Sequence, residues 1–137
     1  MPSGDADPGT ALRQRGPLVV GIVAIVVALD QATKAWAVDS LARAPVSIIG
    51  TTVEFRLSRN MGSAFSLFQT LTPLLAVLAV AIALILVRAM RRTDDRVVII
   101  ALALVLAGAF GNLGDRLFRS PGWLRGAVVD FIHLGGW

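Results

Sequence analysis

Cysteine is absent from the 137 residues, which removes a disulfide framework, a thiolate zinc site and a thiol nucleophile from consideration. His133 and Lys34 are the only histidine and the only lysine. A zinc ion would therefore lack imidazole partners, and a serine triad would have to be built on His133. A Ser-Lys dyad would need Ser40, Ser58, Ser63 or Ser66 beside Lys34. Charge is also scarce, at 16% of residues against 55% hydrophobic. With a mean hydropathy of +0.73 the chain is too apolar for a soluble domain of this size, and the bilayer is the expected solvent. The net charge of +4 does not indicate nucleic acid. The arginines lie scattered near the ends of apolar runs, without a basic stripe carrying interleaved aromatics.

What is present is a set of long apolar runs. Leu18 to Leu29 is apolar throughout and resumes at Ala35 to Val38, long enough together to span a membrane. Asp30, Gln31 and Lys34 occupy the place where a cleavable signal peptide would carry small residues, so the segment is expected to be retained. A second span is expected over Leu71 to Met90 and a third from Val97 to about Gly114. Residues 1–16 are expected to form a disordered cytoplasmic tail, and 17–137 a single membrane-embedded domain. The turn from Arg88 to Arg96 and the tail with Arg13 and Arg15 both concentrate arginine, which assigns them to the cytoplasmic side. The loop from Asp39 to Thr70 is then outside. Within it, Val53, Phe55 and Leu57 alternate with Glu54, Arg56 and Ser58, the period of a strand, and Val46 to Ile49 is placed to pair with it across Gly50. The expected fold class is mainly α and polytopic, with three transmembrane helices and a small extracytoplasmic β-sheet.

The polar residues gather at the outer ends of these spans. Asp30 and Lys34 are four apart on one helical face and are expected to pair. Asn60 precedes the second span. Asn112, Asp115 and Arg116 close the third, at spacings that allow one face to present them together. Asp130 stands alone inside the apolar pentapeptide Val128 to Ile132, which predicts a desolvated carboxylate suited to trading protons. Each has a plainer explanation as an interfacial charge or a turn residue. Peptide hydrolysis, however, needs a base to activate water and an acid to protonate the leaving amine, work that two neighbouring carboxylates can share. By spacing alone the pair would be Asp115 and Asp130.

At these residues the chain resembles the lipoprotein signal peptidases, or signal peptidase II. Asp30-Gln-Ala-Thr-Lys34 resembles D-Q-x-T-K, and Asn60-Met-Gly-Ser-Ala-Phe65 resembles N-x-G-x-A-F. Gly111-Asn-Leu-Gly-Asp-Arg116 resembles G-N-x-x-D-R, and Val129-Asp130-Phe131 resembles V-D-F. The four occur in the family's order. The resemblance implies an aspartyl endopeptidase of the bacterial cytoplasmic membrane that needs no cofactor, with four helices and a periplasmic sheet. It would remove the signal peptide from a prolipoprotein, cleaving before a cysteine that already carries diacylglycerol.

Carried over residue by residue, the resemblance makes Asp130 catalytic and moves Asp115 to support, positioning Asp130 or the loop through hydrogen bonds with Asn112 and Arg116. Asn60 would face the substrate, and Asp30 and Lys34 would belong to the polar network of the first helix. The family's second aspartate lies in an F-N-x-A-D motif opening a fourth helix. No such motif occurs here, so the chain is expected to be incomplete and inactive alone. Expected partners are the prolipoprotein signal peptide, its diacylglyceryl-cysteine and membrane lipids, with the chain monomeric. Other expectations are a noncatalytic scaffold that binds lipidated peptides, or a small transporter using Asp30, Asp115 and Asp130 as relays. The latter needs polar residues at mid-membrane, and the middles of spans two and three have none.

Overall fold

The computed structural model describes residues 8–60, 72–120 and 122–135. In chain order these form α1 (Pro8–Ser40), β1 (Val46–Ile49), β2 (Val53–Asn60), α2 (Thr72–Met90), α3 (Arg96–Phe118) and β3 (Val128–Leu134). Helix α1 begins at Pro8, within the stretch 1–16 expected to form a disordered tail. Proline is favoured in a first helical turn, and Ala11, Leu12, Arg13 and Gln14 are strong helix formers, so the polar composition of this stretch does not oppose helix.

Three of these elements are long and apolar enough to cross a membrane, over Gln14–Ser40, Pro73–Met90 and Arg96–Phe118. Helix α3 packs against both α1 and α2. The contact sets two alanines among larger apolar residues: Ala83 and Met90 of α2 meet Ile99, Ala103 and Leu106 of α3, with Val19, Ile22 and Val23 of α1 against them. Alanine at the crossing lets backbones approach where hydrocarbon outside offers no hydrophobic drive to associate. The opposite faces remain apolar and exposed, among them Ile25, Leu29, Val77, Leu84, Ile85 and Val105. Such faces suit lipid.

The α2–α3 turn is tied down locally. Asp95 caps α3, its Oδ1 accepting from Val97 N at 2.8 Å and Val98 N at 3.4 Å. Arg15 of α1 reaches the same turn and pairs with Asp94 at 3.2 Å. The arginines of this turn therefore lie at one end of the bundle.

At the other end lies an antiparallel sheet in the order β1-β2-β3. The hairpin between β1 and β2 forms as its alternation predicts, turning at Gly50 with φ +51, a conformation that favours glycine. Strand β3 is an addition the apolar pentapeptide did not announce. Its register with β2 pairs Ser58 with Asp130, Arg59 with Val129 and Asn60 with Val128, beyond a bulge between Phe55 and Ser58. Three rings fasten the sheet to α1. Trp36, Phe55 and Phe131 meet edge to face, with centroids 6.1, 6.4 and 6.0 Å apart. That arrangement suits the aromatic quadrupole and orients the strands on the helix end.

Candidate functional site

The buried charges of the described residues converge where α1, α3 and β3 meet. Asp115, 0% exposed, and Lys34, 4% exposed, are the buried charged pair of the core. The pairing of Asp30 with Lys34 is present at 2.9 Å, and Lys34 Nζ also lies 2.8 Å from Asp115 Oδ2 and donates to Asn112 Oδ1 at 3.3 Å. One ammonium thus uses its three donors on three acceptors from two helices.

Asp115 is the hub. Its Oδ1 accepts from Arg119 Nε at 2.7 Å and from Gln31 Nε2 at 3.2 Å. Its Oδ2 takes Lys34 and also accepts from the backbone N–H of Val129 at 3.2 Å. A carboxylate offers about four lone-pair sites, and four donors meet it here. Nothing is left over for a water or a scissile peptide. What the fourth bond does is fix the strand: the residue held through Val129 is the one before Asp130.

The expected partners of Asp115 need correction. Its hydrogen bonds run to Arg119, Gln31, Lys34 and Val129 rather than to Asn112 and Arg116. Arg116 is the next residue along the helix and is turned about 100° away, whereas Arg119, four residues on, shares the face. Asn112 does share the face but is engaged by Lys34. Arg116 Nη1 is instead buried with no hydrogen-bond partner among the described residues.

The expected desolvation of Asp130 is also corrected, because its side chain is exposed. In a strand successive side chains alternate, so the turn of Phe131 toward Trp36 sends Asp130 to the opposite face. Apolar neighbours in sequence are not neighbours in space. On that same face stands Asn60, two residues along β2 from Ser58, the register partner of Asp130. Such diagonal pairs sit on the order of 7 Å apart, within reach of one bound peptide. Asn60 is the only residue of its N-x-G-x-A-F segment within the described residues.

Two glycines permit this convergence. A Cβ at Gly111 would overlap the Asp30 carboxylate, and one at Gly126 would overlap the carbonyl oxygen of Asp115 and approach that of Arg119 to 2.8 Å. At Gly126 both obstacles are backbone, and its own N–H donates to Arg116 O at 3.0 Å, so the strand entry is pressed onto the end of α3. Gly126→Ala is accordingly expected to destabilise the protein by about 1–3 kcal/mol, read as a lowered Tm in detergent. An unchanged Tm would mean that β3 does not approach α3 this closely.

Gln31 and Arg119 carry roles that sequence reasoning missed. Arg119 was within reach, four residues past Asp115 on the same helical face. Gln31 meets Asp115 across 84 positions of sequence, for which no local pattern exists. Among the described residues no group of three or more His, Asp or Glu is placed to hold a metal ion.

A family model for signal peptidase II matches residues 22–137. The chain is similar to the lipoprotein signal peptidase of Rhodococcus jostii strain RHA1, at 43% identity over 99% of this chain and 69% of that protein. The corresponding figures are 43%, 98% and 57% for the lipoprotein signal peptidase of Mycolicibacterium smegmatis, and 38%, 99% and 75% for that of Mycobacterium tuberculosis H37Rv. A bacterial membrane enzyme solved by the in meso method at 2.3 Å shares the fold, with a TM-score of 0.63 and 24% identity over 87% of this chain and 71% of the other. With its three membrane-length helices, the chain is a multi-pass membrane protein.

Proposed function

Because the chain belongs to the signal peptidase II family, we propose that it contributes the membrane scaffold and one catalytic carboxylate, Asp130, to an aspartyl endopeptidase. The enzyme removes signal peptides from diacylglyceryl-modified prolipoproteins, cleaving before the lipidated cysteine. The observation that supports the assignment is the contrast in surroundings between the two aspartates. Asp115 is enclosed by four donors, while Asp130 is held beside it, exposed, on a strand that Asp115 pins.

On this proposal Asp130 takes the proton of the attacking water or gives one to the leaving amine, and a second carboxylate does the other half. An F-N-x-A-D segment, which would supply that carboxylate, does not occur within these 137 residues. Asn60, on the Asp130 face, hydrogen-bonds the substrate backbone. The apolar helix faces receive the signal helix and acyl chains, whose binding orients the scissile bond. The sheet end then faces the outside of the bacterial cytoplasmic membrane and the arginine-rich turn the inside, an orientation that the clustering of four arginines in that short turn supports.

The test uses the complete gene product in detergent micelles, incubated with a synthetic prolipoprotein peptide with or without diacylglycerol on its cysteine. Mass spectrometry is expected to find cleavage immediately before the cysteine in the lipidated peptide only. Cleavage that ignores the lipid, or binding without cleavage by folded protein, would reject the proposal. A polypeptide of residues 1–137 alone, with one available carboxylate, is expected to show no turnover above background in the same assay. Robust turnover would mean that both carboxylates lie within these residues and would return Asp115 to the catalytic pair.

A further inference from the structure

A cavity of about 270 Å³ lies at the sheet end of the bundle, lined by Val38 of α1, Arg59 of β2, Phe118 at the end of α3, Arg119 and Ser120 after it, and Ala127 and Val129. It plays no part in the proposed cleavage. Arg59 and Val129 are register partners and so share one face of the sheet, and Asp130 lies on the other. Two guanidinium groups and a hydroxyl line the space, and among the described residues no carboxylate does. Arg119 spends its Nε on Asp115, which fixes the guanidinium and leaves its terminal N–H groups to point elsewhere. Arg59 forms no ion pair among the described residues.

Size, depth and surroundings narrow the ligand. The volume is below that of pockets for whole drug-sized molecules, which begin at roughly 300 Å³, so it suits a small anionic group. The candidate spans of α1 and α3 end beside it, at Ser40 and Phe118, which puts it at the level of lipid headgroups. Phe118 is 87% and Trp123 81% exposed, as aromatic anchors of the membrane–water boundary are. Paired guanidinium forks match the geometry of phosphate oxygens.

We propose that this cavity binds the phosphodiester of a membrane glycerophospholipid, clamped between Arg59 and Arg119 with Ser120 as a further donor and the acyl chains descending past Phe118. A bound phospholipid would join α1, α3 and the sheet at their common end. Free phosphate shares the headgroup chemistry, but a site at headgroup depth beside an exposed phenylalanine favours the lipid.

The test is native mass spectrometry of the complete protein in neutral detergent, titrated with dioleoylphosphatidylglycerol, with dioleoylglycerol, or with inorganic phosphate. One phosphatidylglycerol per chain is expected, with dioleoylglycerol retained far less. Arg59→Glu should weaken retention on the order of tenfold or more, as loss of charge-assisted hydrogen bonds implies, and Arg59→Lys should recover most of it. Arg59→Gln serves if the charge reversal does not fold. Unchanged retention in the Glu and Gln variants, or equal retention of dioleoylglycerol, would overturn the proposal. Binding of inorganic phosphate without retention of the lipid would overturn it too.

Discussion

Asp130→Asn is expected to abolish prolipoprotein cleavage while leaving the protein as stable as before. The side chain is exposed on β3, and asparagine keeps its shape and the backbone pairing of residue 130 with Ser58. Exposed substitutions away from packed or bonded features usually stay within about 0.5 kcal/mol of neutral. The chemistry has no such tolerance. Losing one positioned acid–base group costs about 10²–10⁴-fold, and asparagine can neither take nor give the proton. Turnover of the lipidated peptide should therefore fall by roughly three orders of magnitude at unchanged KM, with the same Tm as the parent. Turnover within tenfold of the parent would remove Asp130 from the reaction.

Much of this arrangement is legible in the sequence, and what is not shares one physical cause. Apolar runs of membrane length place helices directly, because the bilayer imposes their length. The i, i+4 pairing of Asp30 and Lys34 and the alternation in Val53 to Ser58 are likewise local patterns with local consequences. Strand β3 has no such pattern. Val128, Val129, Phe131 and Ile132 make both faces of its first part apolar, and its hydrogen bonds go to β2, some seventy residues earlier. Missing the strand also misplaced Asp130, which sequence neighbours made seem desolvated and alternation turned outward. The ordering of the two aspartates depended likewise on contacts across the fold. Spacing could pair them, and the family resemblance could demote Asp115, but the meeting of Gln31, Lys34, Arg119 and Val129 on one carboxylate, which supports that proposed ordering, follows from no local pattern.

That convergence makes a second large effect expected, with its own signature. Lys34, Arg119, Asp30 and Asp115 form a cluster of two cations and two carboxylates, held together at 2.7–2.9 Å. Lys34→Met leaves Asp115 buried against one cation instead of two, and Asp115→Asn leaves Lys34 and Arg119 without their shared anion. Breaking one side of a buried pair typically costs 3–5 kcal/mol, most of it from the charge left behind. Each single variant should therefore lose stability by about that amount and lose activity through unfolding and a displaced β3. The double variant removes one charge of each sign, and the asparagine introduced at position 115 retains an oxygen able to accept from Val129 N–H. Its loss of stability should fall short of the sum of the single losses by about 0.5–3 kcal/mol of coupling, measured by thermal unfolding in one detergent, and part of the turnover should return with it. Recovery of turnover is what separates positioning from chemistry. A double variant that folds as well as the parent yet cleaves nothing would return Asp115 to the catalytic pair, whereas activity that follows the folded fraction assigns it to holding the strand that presents Asp130.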